Sequence, residues 1–125
     1  MATKKILSVD DSIIIRKIFK GIAETLGLGF LEAGDGQQAL NVLADHHQEI
    51  ALIILDWNMP VKNGYDTLQE ITTDPRYKHI PVMMATTETE RTNVIKAIQA
   101  GAKHYVTKPF TQEDVLVRIT ECLKA

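Results

Sequence analysis

Asp10 and Asp11 stand side by side directly after the apolar run ILSV, and Asp56 directly follows a second run, IALIIL. Thr86 follows VMMA, and Lys108 follows HYVT, in the same way. Each is a polar group placed where a buried strand should end. If the strands bring these groups together, three carboxylates a few ångström apart repel one another in a partly desolvated cleft. A proton shared among them or a divalent cation relieves that repulsion. The ligands are oxygen only, with no Cys nearby and no pair of His at helical spacing, which favours Mg²⁺ over Zn²⁺. A metal, the Lys108 ammonium and the Thr86 hydroxyl around one carboxylate form a receptor for a dianionic phosphoryl group. The carboxylate itself can then serve as nucleophile, giving an acyl phosphate.

The chemistry requires elements that deliver these residues to one place. Short apolar runs alternate with helical patterns along the whole chain. The strands are expected at Lys5–Val9, Gly29–Ala33, Ile50–Leu55, Pro81–Ala85 and Lys103–Thr107. The third is apolar at every position, as suits a strand covered on both faces. The helices are expected at Ile13–Leu26, Gln37–His46, Tyr65–Asp74, Glu90–Ala100 and Gln112–Leu123, with Ser12 as an N-cap and Gly101 as a C-cap. Five β–α units with right-handed crossovers give a doubly wound parallel five-stranded sheet with helices on both faces. In the flavodoxin-like order 2-1-3-4-5, strands one and three flank the switch point where such sheets place their ligands. Those two strands carry the three acids; the exit of strand two, EAGDG, offers no comparable group.

Composition narrows the function classes. The chain has 125 residues, 45% hydrophobic and 24% charged, which is the size of one domain spanning residues 1–125. A net charge of −2 and a pI near 6.1 argue against a nucleic-acid or anionic-membrane surface. The single cysteine, Cys122, allows no internal disulfide and fits a reducing compartment. No signal-peptide core or membrane-length apolar run is present. These features predict a soluble cytoplasmic protein.

The segments VDDS, LIILDWNMP, NGYD, MMATTE and GAKHYVTKPF, in this order and each at a strand end, resemble the receiver domain of two-component response regulators. DWNMP and TTE make the likeness greatest to the stand-alone chemotaxis type. The resemblance covers essentially the whole chain. It implies that Asp56 is the phosphoacceptor and that Asp11 binds Mg²⁺ directly. Asp10 would act largely through water, and the backbone carbonyl of Asn58 would be a further ligand. It also implies that Lys108 contacts a phosphoryl oxygen and that Thr86 bonds another after modification. Tyr105 would change rotamer with Thr86, signalling to the face made by helix four, strand five and helix five. The Lys108–Pro109 bond is expected to be cis. Asn63 stands where family members often carry Asp, in a turn that mainly needs Gly64. Thr87, Glu88 and Asn58 border the path of attacking water and bear on phosphoryl lifetime. Ile13, Ile14 and Ile15 are bulkier than the residues common after the acidic pair.

Plainer roles compete for some of these residues. An acid at a helix start can serve as a cap worth up to about 1 kcal/mol, but that explains neither the second acid nor Asp56. Trp57 suits packing beside the cleft, Met83 and Met84 suit the core, and Cys122 lies on the apolar stripe of helix five. His46 and His47 suit the dipole at the end of helix two, and His79 and His104 lack ligand spacing. Val117, opposite the stripe of helix five, is a candidate partner-facing residue. The resemblance implies a monomeric signalling switch that catalyses only its own phosphotransfer and autodephosphorylation. Its phosphodonor would be a histidine kinase of the chemotaxis type. Because the chain ends after helix five, the output is expected to be a protein contact, such as a flagellar motor switch protein. A phosphate sink or phosphorelay intermediate is the alternative. A flavodoxin-like cofactor binder fits poorly, since DDS would repel a cofactor phosphate.

Overall fold

The computed structural model describes residues 4–123. Five strands form one parallel sheet: β1 (Lys5–Val9), β2 (Gly29–Ala33), β3 (Ile50–Leu55), β4 (Val82–Thr86) and β5 (His104–Thr107). Their order is 2-1-3-4-5. Five helices connect and cover them: α1 (Ile13–Thr25), α2 (Gly36–His46), α3 (Gly64–Thr73), α4 (Arg91–Gln99) and α5 (Gln112–Leu123).

The sheet has a core on each face because its strands are apolar on both sides. Leu7, Val9, Ile53, Leu55, Val82 and Met84 pack against α2, α3 and α4 through Ala39, Leu43, Leu68, Ile71 and Ala97. On the other face, Ile6, Leu52, Ile54, Met83 and Val106 meet α1 and α5 through Phe19, Ile22, Val115, Ile119 and Cys122. Met83 and Met84 are core residues, one on each face, as the period of two along a strand requires.

β1, β2, β3 and α5 fall on the residues that the sequence predicts; the other elements shift by a residue. Pro81 has no N–H to give, so β4 begins at Val82, although the Pro81 carbonyl accepts from Ile53 N at 3.0 Å. Thr86 is therefore the last residue of β4 rather than the first beyond it. α2 and α3 each begin one residue early, at a glycine, because Asp35 and Asn63 cap them through their side chains. Ser12 caps α1 as predicted, accepting from Ile15 N at 3.3 Å. A short 3-10 helix, His47–Glu49, joins α2 to β3 and has no signature in the sequence pattern. Among the described residues, no helix is long and apolar enough to cross a membrane.

Candidate functional site

The pairing of β1 with β2 and β3 carries on past the strand ends. Asp10 N donates to Ala33 O at 3.0 Å, and Asp56 N donates to Val9 O at 2.9 Å. The backbones of both acids are thereby fixed to the central sheet while their side chains leave its edge. Oxygens of Asp10, Asp11 and Asp56 lie within 4.8 Å of one another. Asp10 and Asp56 are 3% and 5% exposed, whereas Asp11 is open to solvent. Two buried carboxylates and an exposed one thus share a small volume.

Lys108 enters from the loop after β5. Its Nζ lies 2.7 Å from Asp10 Oδ2 and 3.5 Å from Asp56 Oδ2. Its backbone N donates to Thr86 O at 2.9 Å, which ties the lysine to the end of β4. The Lys108–Pro109 bond is cis. Burial pushes the Asp10 carboxyl above its ordinary value, against the pull of the Lys108 and Ser12 hydrogen bonds; the Asp56 charge pushes it the same way. Asp56 Oδ1 is buried and has no hydrogen-bond partner among the described residues. A buried anionic oxygen left unpaired is costly unless another group meets it. With all-oxygen donors around it, this cluster has the chemistry of a hard-cation site.

The loop after β3 is built around Asp56. A Cβ on Gly64 would stand 1.9 Å from Asp56 O and 2.8 Å from Trp57 Cα, so only glycine lets α3 start this close. Asn63 caps α3 by accepting from Asp66 N at 2.9 Å, the service an aspartate would give there. Asn58 is exposed in the same loop. Trp57 stacks on Tyr65, with ring centroids 5.2 Å apart and planes 14° from parallel. Lys96 of α4 places its Nζ 4.9 Å from the centre of the Tyr65 ring. Nothing in the sequence pattern signals this stack, since Tyr65 reads simply as part of the apolar stripe of α3.

Thr86 is fully buried, and its Oγ1 accepts from Glu88 N at 3.3 Å. The Tyr105 hydroxyl donates to Glu88 O at 2.7 Å, so threonine and tyrosine hold the same residue from two sides. Burial, followed by the charges on Glu88 and Asp56, pushes the Tyr105 phenol up to about 12. The neighbouring α4 is lightly held: Ala97 is its only fully buried residue, and Glu90 at its N-cap makes no side-chain bond. Ile95, Ile98 and Val117 are exposed, and Cys122 is buried.

Asp35, at the exit of β2, is spent as the cap of α2, with Gln38 N donating to it at 2.8 Å. It adds no group to the acidic cluster. Arg16 was not legible as a site residue, yet its Nη1 donates to the Asp10 carbonyl at 2.6 Å. An arginine on the polar side of an amphipathic helix carries no signal of such a contact.

Comparison with known proteins matches the response regulator receiver domain family over residues 6–120. The chain belongs to this family. The receiver is 44% identical over 110 residues to the chemotaxis protein CheY of Pseudomonas aeruginosa, covering 87% of each chain. The solved structure of Vibrio cholerae CheY4 superposes with a TM-score of 0.85 at 33% identity, over 98% of this chain and 100% of that one. The Mn²⁺-bound response regulator Rcp1 gives a TM-score of 0.79 at 28% identity, over 94% and 90% of the two chains. Receiver domains signal through phosphorylation, and the acidic cluster of this one could hold a metal.

Proposed function

We propose that this receiver is a stand-alone cytoplasmic response regulator, phosphorylated on Asp56 by a histidine kinase in an Mg²⁺-dependent reaction, and that it switches affinity for a protein partner in chemotaxis signalling. The observation that carries the reading is the unpartnered, buried Asp56 Oδ1 beside Asp10, Asp11 and Lys108. The bound cation in Rcp1 and the CheY likeness support it. Asp10, Asp11, Asp56 and the Asn58 carbonyl would hold Mg²⁺, which supplies charge neutralisation for the phosphoryl oxygens.

A carboxylate oxygen of Asp56 attacks the phosphorus of the donor's phosphohistidine. The new P–O bond forms as the P–N bond breaks, and the imidazole leaves with the electron pair and takes a proton. Lys108, already close to Asp56, follows the added negative charge and contacts a phosphoryl oxygen. Thr86 turns its hydroxyl from the Glu88 N–H to another of those oxygens. Because Tyr105 also holds Glu88, this exchange alters the tyrosine's environment and the adjoining α4–β5–α5 face. That linkage favours a switching output over a phosphate sink or relay.

With Mg²⁺ and acetyl phosphate, intact-mass measurement should show one added phosphoryl group, and Asp56→Asn should abolish it. An unmodified wild type under those conditions would refute the mechanism.

A further inference from the structure

Asp10 is held at four points, and they are not equivalent. Its Oδ1 accepts from Ser12 N at 2.9 Å, and its Oδ2 lies 2.7 Å from Lys108 Nζ. A cation drawing on this carboxylate competes with both contacts for its lone pairs. The other two anchor the backbone: Asp10 N on Ala33 O, and Asp10 O on Arg16 Nη1. These persist however the carboxylate is used. The aim of the exposed Asp11 side chain depends on the same stretch of backbone, because it directly follows.

Arg16 spans three elements. From α1 it reaches the β1–α1 loop through Nη1, and it donates from Nε to Glu32 Oε1 of β2 at 2.7 Å. Its side chain is only 17% exposed, against 51% for Glu32. Glu32 sits beside Ser8 in the β1–β2 register, two residues before the acid pair begins. A planar guanidinium can serve a carbonyl and a carboxylate at once from fixed donors; a lysine ammonium is a single point on a flexible stem.

We propose that Arg16, braced by Glu32, is a positioning residue that sets the Asp10–Asp11 backbone and thereby the affinity of the acidic cluster for a divalent cation. The proposal rests on the metal-dependent reading above. Arg16 is not itself a ligand. It acts on the cation as outer-shell partners do, through the orientation of the groups that bind it.

The test is Mg²⁺ titration of the full chain by isothermal calorimetry, alongside urea unfolding in metal-free buffer. The wild type should bind Mg²⁺ saturably, and Asp11→Ala should lose that binding. Arg16→Met should weaken Mg²⁺ about tenfold, with Arg16→Lys falling between it and the wild type. Glu32→Gln, at a more exposed position, should weaken binding in the same direction and add nothing to Arg16→Met. It also keeps the test open if Arg16→Met folds poorly. An Arg16→Met dissociation constant within about twofold of wild type, with stability alone reduced, would overturn the inference and leave the metal reading standing. No saturable binding in the wild type would overturn both.

Discussion

Replacing Lys108 with methionine removes an ammonium that lies 2.7 Å from Asp10 and 3.5 Å from Asp56, both nearly buried, while keeping most of the side-chain volume. At an effective dielectric of about 20, the two attractions amount to roughly 6 and 5 kcal/mol before desolvation. Desolvation of the ammonium offsets much of this, and removing one partner from a buried ion pair typically costs about 3–5 kcal/mol. We expect a loss of that size at neutral pH without metal, measured by urea unfolding followed by circular dichroism. The pH dependence gives a second check. Burial already raises the Asp10 carboxyl above its ordinary 3.8, and Lys108 holds it down, so the variant raises it further. A raised folded value means that protonation favours the folded state. The relative contribution is fully present below the ordinary carboxylate value and is lost as pH rises through the raised one. The deficit of Lys108→Met should therefore shrink as pH falls through that window, and saturating Mg²⁺ should narrow it at neutral pH. A loss below about 1 kcal/mol, the scale of an exposed pair, or one indifferent to pH, would refute the reasoning.

Three further outcomes are expected. Ser8 Oγ is buried without a partner among the described residues, so Ser8→Ala should stabilise the protein by about 1 kcal/mol in the same unfolding assay. Gly64→Ala forces a Cβ against the Asp56 and Trp57 backbone; it should cost about 3 kcal/mol and slow acetyl-phosphate labelling. Of the three tyrosines, Tyr105 should ionise near 12 in an ultraviolet absorbance titration, and Tyr105→Phe should delete that step. Its raised value means stability falls as pH climbs from the ordinary 10 towards 12.

The sheet was legible because runs such as IALIIL change composition abruptly at both ends, and their alternation with helical patterns admits few topologies. Helix starts were less legible: Gly36 and Gly64 look like loop residues until Asp35 and Asn63 are seen capping them. The His47–Glu49 turn is too short to show a period. In the site, the acids and Lys108 stood out because a charge at the end of an apolar strand is conspicuous. Arg16 and Tyr65 did not, because their partners, a backbone carbonyl and an indole face, come from chain packing rather than from local spacing.

The weak attachment of α4 bears on how such a molecule can respond at all. With a single fully buried residue, Ala97, and no side-chain bond from its N-cap, that helix has few apolar contacts to give up if it tilts or slides, and the core on the opposite face of the sheet does not involve it. On the function proposed above, a rearrangement at the end of β4, where Thr86 and Tyr105 both hold Glu88, would meet little apolar packing on the α4 side, with the Lys96–Tyr65 contact as one restraint. On that reading, rigidity in the sheet and looseness in one helix are what would let a change of charge at one aspartate become a change of shape on the surface.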